Sequence, residues 1–304
     1  MAHPALDDLP VVPAEIFDHI ISELDVLEDY LALSSCALTS RALCGTARRH
    51  RFQDLHFDFF FESPSAKPDG THVRSFLHIV DASVAGMTQG HRLTPIPRLL
   101  RSLTVRFSYS PIRWDAAGRL PPIDGEDVVA LLARMQGEDF GIQSFNFYLP
   151  FCLKDYLDCS WMSLSIPFKQ AFWGIIDSPR LRHVSLRRIQ HLPSTLFHSS
   201  PISHLGLFDV RFRTLEETQT TKALCCRDSD LGQHPLLKTV QLTTSDLPLP
   251  YQLELLPSGQ PVFPYRTMER FLTGILTFEQ IDSILQTNDG SLKDLVLCDS
   301  ACSK

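Results

Sequence analysis

The amino-acid sequence predicts an α/β fold: a short N-terminal three-helix module over residues 1–50, then mostly parallel strands alternating with helices over residues 51–304. Three observations lead there. Apolar residues recur at spacing four from Ile16 through Ile20 to Leu24. One six-residue pattern, apolar-x-x-apolar-x-apolar, returns along the remainder of the chain. Between its copies lie stretches whose apolar residues fall at helical spacing.

The N-terminal elements follow from local chemistry. Val12-Pro13-Ala14-Glu15-Ile16 reads as a helix start. Pro13 has a fixed φ and lacks an N–H that a first turn leaves unpaired, and Glu15 places negative charge at the positive end of the helix dipole. Phe17 and Ile21 widen the Ile16, Ile20, Leu24 stripe into a broad apolar face. A second short helix carries Leu27, Leu31 and Leu38 on one side. Thr39-Ser40 can cap a third, with Leu43 and Ala47 inward and Arg41, Arg48, Arg49 and His50 outward. Three short helices make too small a core to fold well alone, so a partner or the following domain should cover them.

With Val12-Pro13 at the place of a Leu-Pro pair, then Glu15-Ile16, Ile20, Leu24, Leu31, Leu33, Leu38, Ser40-Arg41 and Leu43, this segment resembles an F-box. Two departures stand out: Val12 precedes the proline where leucine is usual, and Leu43 occupies a position where many members carry an aromatic residue. The resemblance implies that Pro13, Glu15, Ile16, Ile20, Leu24, Leu31, Leu38 and Arg41 bind a Skp-type adaptor, and through it a cullin-RING ubiquitin ligase. Charge is segregated here. Residues 1–40 hold eight acidic side chains and no Lys or Arg, whereas residues 41–51 hold four arginines and no acid. This reads as one solvated acidic helix face beside a basic one, or as steering of an adaptor.

The six-residue pattern occurs at Leu100–Val105 (LRSLTV), Ile142–Phe147 (IQSFNF), Leu181–Leu186 (LRHVSL), Ile202–Leu207 (ISHLGL), Leu237–Leu242 (LKTVQL) and Leu292–Leu297 (LKDLVL). Phe52–Phe57 (FQDLHF) fits as a seventh copy. Its period-two alternation suits a strand with one buried face, and the whole is similar to the strand segment of a leucine-rich repeat. Pro179, Pro201, Pro235 and the Asn288-Asp289-Gly290 turn introduce four of the copies. Helical stripes lie at His72–Ala82, Asp127–Met135, Phe168–Ile176 and Phe278–Leu285. Counted between fourth positions, the steps from Leu103 to Leu295 are 42, 39, 21, 35 and 55 residues, which is an irregular repeat. Polar residues 213–233 and proline-rich residues 245–266 read as insertions. An ordinary α/β domain whose strands begin Leu-x-x-Leu is the competing reading. A terminal repeat normally needs a cap, and the six residues from Asp299 to Lys304 are too few to form one. Either more chain or another part of the protein is expected to cover that edge.

Composition narrows the function. The net charge of −7 offers no basic field for nucleic acid. No signal peptide and no membrane-spanning run are legible, and the eight scattered cysteines suit free thiols in a reducing cytoplasm or nucleus. Gly-rich phosphate loops, GxSxG, HExxH and CxxC motifs are absent from the sequence. Cys225-Cys226 are adjacent and too constrained to share an ordinary metal site, Cys152/Cys159 and Cys298/Cys302 lack a second close pair of Cys or His at zinc-finger spacing, and Asp228/Asp230 and Glu138/Asp139 sit in polar surroundings. No metal, cofactor or catalytic set is expected. Histidines gather at His183, His191, His198 and His204, and the repeat would stack His183 beside His204 on an open sheet face. The same face would collect Tyr148, His183, Arg187, His204 and Phe208, residue types common in interface hot spots. The expectation is a non-catalytic substrate-recognition subunit of a Skp/cullin/F-box ligase, holding a target protein on this face. The alternatives are a repeat scaffold whose N-terminal helices only cap it, and an enzyme of unrecognised type.

Overall fold

The computed structural model describes residues 14–24, 29–39, 41–61, 70–88, 94–109, 123–136, 140–149, 160–197, 200–210, 237–243, 268–273, 282, 285–286 and 290–297. Helices α1 (Ala14–Ser22), α2 (Tyr30–Thr39) and α3 (Arg41–Gln53) come first, and β1 (Asp54–Phe61) follows α3 without a linker. Then come α4 (Thr71–Thr88), α5 (Ile96–Leu99), β2 (Ser102–Tyr109), α6 (Glu126–Arg134), β3 (Ser144–Tyr148), α7 (Ile166–Ile176), β4 (His183–Arg187), β5 (His204–Phe208), β6 (Thr239–Thr243), β7 (Arg270–Thr273) and β8 (Asp294–Leu297). All eight strands form one open, parallel sheet in the order β1 to β8, so each strand pairs only with its neighbours in sequence.

The seventh copy of the pattern is β1, and an eighth strand, β7, is one the pattern search misses. Residues 268–273 read MERFLT, so Thr273 stands where an apolar sixth residue is required. Its first and fourth residues nevertheless do what the pattern demands, because Met268 and Phe271 are fully buried. The 55-residue step therefore divides at Phe271, after 31 residues from Val240 and 24 before Leu295.

One hydrogen-bond arrangement recurs at the start of β3 to β8. The carbonyl at the second position of one copy accepts two successive amides of the next copy. Arg101 O takes Gln143 N and Ser144 N (2.7 and 3.0 Å), Gln143 O takes Arg182 N and His183 N, and Arg182 O takes Ser203 N and His204 N. Ser203, Lys238 and Glu269 repeat this toward Thr239, Arg270 and Asp294, while Gln53 at the end of α3 receives Arg101 N at 2.7 Å. This sets the register, placing Leu55, Leu103, Phe145, Val184, Leu205, Val240, Phe271 and Leu295 side by side.

Helices α4, α6 and α7 pack one on the next and cover the inner side of the sheet. The expected helices at residues 72–82, 127–135 and 168–176 are these three, and α4 extends six residues beyond its expected end. Of the fourth expected helix, Asp282, Leu285 and Gln286 are helical and the rest lies outside the described residues. Glu126 and Asp127 favour the α6 N-terminus, and Ser165 caps α7 by accepting from Phe168 N. Arg134 donates twice to Asp81 at 2.8 and 2.9 Å, joining α6 to α4, although both side chains are solvated and the pair adds at most about 1 kcal/mol. At Gly174 a Cβ would meet the end of the Gln136 side chain, which donates to Ala171 O at 2.9 Å and would have to move.

The core is thickest under β2, β3 and β4. Phe147 packs edge-on against Phe107, Phe168 and Phe172, and Trp161 meets Phe172 at 5.3 Å. Burial declines at β8. Leu295 is 37% exposed, while its counterparts from Leu103 to Phe271 are at most 2% exposed. Substitution should reflect this gradient. Phe147→Ala is expected to lower the unfolding free energy by about 3–5 kcal/mol and Leu295→Ala by less than about 1 kcal/mol, measured by urea denaturation.

Candidate functional site

The N-terminal helices divide their apolar residues between a small core and solvent. Ile21, Leu33 and Ala47, one from each helix, are buried. Ile16 and Ile20 on α1, one turn apart, are about half exposed, and Leu31 and Leu38 on α2 are 65% and 88% exposed. Glu15 is exposed and Leu24 half-buried; Arg41 is the first residue of α3, with its side chain, like Pro13, Leu27 and Ser40, outside the described residues. Large aliphatic side chains left this open on two short helices are a departure from ordinary burial. One expectation is corrected. His50 does not face outward; it is half-buried, with Nε2 at 2.7 Å from Leu24 O, and so ties the end of α1 to α3. Arg48 is also half-buried, and Arg49 is exposed as expected. Cys36 and Cys44 on these helices are free thiols.

The second candidate is the sheet face opposite α4, α6 and α7. Register alone brings Ser144, His183, His204 and Thr239 into one row and Tyr148, Arg187, Phe208 and Thr243 into another. All five predicted residues of this face are brought together. The His183 and His204 rings stack with centroids 4.2 Å apart and planes 21° from parallel. Arg187 lies between two aromatic rings, its guanidinium 5.7 Å from the Tyr148 centroid and 5.3 Å from that of Phe208. Both distances are within cation–π range.

Residues not singled out from the sequence shape this surface. A Cβ on Gly206 would sit 3.0 Å from Phe208 Cε2, so the missing side chain lets the Phe208 ring lie down across β5. The sequence signal was available, since Gly206 is the one glycine at a fifth position of any copy. Asn146 Nδ2 donates to Thr104 Oγ1 at 3.1 Å across the β2–β3 pair, and Thr104 is buried on that face. Backbone turns close the strands: Arg188 (φ 64°) and Asp209 (φ 56°) follow β4 and β5 in left-handed conformation.

Of the other histidines, His191 lies with Nδ1 3.0 Å from Ser160 Oγ, away from the stacked pair, and His198 falls outside the described residues. So do Cys225-Cys226, Cys152, Cys159, Cys298, Cys302, Asp228/Asp230 and Glu138/Asp139. Among the described residues no group of three or more His, Cys, Asp or Glu is placed to hold a metal. No described helix is long and apolar enough to cross a membrane.

His204 has its pKa held below the ordinary imidazole value, first by burial, then by His183 and Lys238. Its Nδ1 is 2.8 Å from Ser203 Oγ. The folded state thus binds protons less readily than the unfolded chain. Stability is unaffected above the unfolded value near 6.5 and falls as pH drops through it toward the lower folded value. Lowering pH from 7.5 to 5.5 should reduce the urea midpoint more for the native chain than for His204→Gln; equal reductions would contradict this assignment.

Compared with family models, curated proteins and solved structures, the chain matches none.

Proposed function

We propose that this protein is a non-catalytic substrate receptor. Its N-terminal helices dock on a Skp-type adaptor of a cullin ubiquitin ligase, and its parallel sheet, a degenerate leucine-rich-repeat-like solenoid, holds a target protein. The observation that carries the reading is the exposure of Ile16, Ile20, Leu31 and Leu38, four apolar residues at the positions of the F-box-like pattern. An amphipathic helical face of this kind binds by entering a partner's groove. Each aliphatic side chain so buried contributes roughly 1.5–3 kcal/mol. Ubiquitin transfer belongs to other subunits of such a ligase, so this chain needs no catalytic group. Receptors of this type work in the cytoplasm or nucleus.

A second reading has its own support. Helix α3 runs directly into β1, contacts α5, and offers the Gln53 carbonyl to β2. Those are the contacts of an end cap on a repeat scaffold, with no adaptor involved.

Co-expression separates the two. The native chain should co-purify stoichiometrically with a Skp-type adaptor, and Ile16→Asp/Ile20→Asp should abolish the complex while leaving the melting temperature nearly unchanged, since both side chains are already solvated. A folded native chain that captures no adaptor would rule out the receptor reading. Removal of residues 1–40 offers a further check: a detachable docking module leaves the sheet folded with a similar melting temperature, whereas a cap does not.

A further inference from the structure

The sheet face carries a charge pattern that defines what it can hold. Along the row of third positions run Asp54, Ser102, Ser144, His183, His204, Thr239, Arg270 and Asp294. Along the seventh positions run Asp58, Arg106, Tyr148, Arg187, Phe208 and Thr243. From β2 to β6 neither row contains a carboxylate, and Arg106, Arg187 and the histidine pair supply the only ionisable groups there other than the Tyr148 phenol. The first and last strands are acidic. Asp54, Asp58 and Asp294 are exposed, and Asp294 stands 3.9 Å from Arg270. The strip is therefore cationic in the middle and closed by negative charge at both ends.

Arg187 sits between two aromatic rings at the centre of this strip. Tyr148 and Phe208 flank it, it is exposed, and among the described residues it forms no ion pair with a carboxylate. A guanidinium positioned this way presents paired donors to a carboxylate without first losing the freedom of a loose side chain. The exposed His183 ring and the Asn146 and Gln241 amides, both half-buried, add donors along neighbouring rows. Aromatic faces beside the cation suit an apolar residue adjacent to the acid.

We infer that this face binds a short acidic segment of a partner protein, a few carboxylates long with neutral or basic flanks, centred on Arg187. The inference rests on the reading of the sheet as the target-holding surface and names the chemistry of the target. Aromatic rings with arginine would also stack on single-stranded nucleic acid. The acidic ends argue against that occupant, because a polyanion crossing the sheet would meet Asp54 and Asp58 at one border and Asp294 at the other.

The experiment uses the full chain and fluorescence anisotropy of a labelled peptide, hexaglutamate within Gly-Ser flanks. The expected result is saturable binding that weakens as NaCl rises, with no binding of the matching hexaglutamine peptide. Arg187→Glu should lower affinity by about ten- to a hundredfold, the loss of a charged hydrogen-bonding group. Asp54→Asn/Asp58→Asn should raise it, a gain that misfolding cannot mimic. Absence of hexaglutamate binding, native affinity in an Arg187→Glu chain of unchanged melting temperature, or tighter binding of hexathymidylate than of hexaglutamate would each overturn the inference. Adaptor capture measured on the same preparations keeps the two questions apart. A chain that takes the adaptor but not the peptide remains a receptor with a different target chemistry, and one that takes the peptide but not the adaptor keeps this surface without the ligase.

Discussion

Everything described depends on one carbonyl per strand that accepts two amides of the strand that follows. Parallel pairing has no tight turn to set its register, so a slip of one residue would exchange inner and outer faces. The shared acceptors, from Arg101 through Gln143, Arg182, Ser203 and Lys238 to Glu269, prevent that slip at the entry of β3 to β8. With register set, the rest is geometry. Leucines and phenylalanines fall in line beneath α4, α6 and α7, and whatever occupies the third and seventh positions becomes a row on the opposite face.

That logic explains how much could be read from the sequence. A period-two apolar code reports burial on one face, and seven of the eight strands carry it in full. In β7 the code is broken at its last letter: Thr273 is not apolar, yet Met268 and Phe271 are buried and the Lys238 and Glu269 carbonyls maintain the ladder on either side. Backbone hydrogen bonds do not need an apolar side chain at every position, and a pattern search does. The His183–His204 stack and the Tyr148, Arg187 and Phe208 grouping were legible because register alone brings them together. Gly206, which lets Phe208 lie flat, and Thr104, which Asn146 helps bury, were not, because each depends on a neighbouring side chain's direction and not on the repeat. His50 departs from its expected outward orientation because of a backbone partner remote in sequence. A charged helix end suggested solvent, but the Leu24 carbonyl offered it a partner.

The two candidate surfaces are built on opposite principles. On α1 and α2 the chain leaves aliphatic side chains in water, a small cost that a partner's groove would recover as buried area. On the sheet it does the reverse, setting an exposed arginine between two aromatic rings, contacts that would lower the freedom lost on binding. The first surface has few directional groups and, as proposed, would select by shape. The second, as proposed, would select by charge.

The thinning of the core toward β8 has a kinetic side. Each strand touches only its two neighbours, and aromatic packing is concentrated around Phe147 and Phe172, so the sheet has no single point of failure. Opening costs least at the edge, where Leu295 is already in contact with water, and grows as it moves inward. Amide protons would therefore exchange with solvent in the order of the strands, β8 before β7 before β6, and a pulling force on that edge would peel the sheet one strand at a time rather than break it at once.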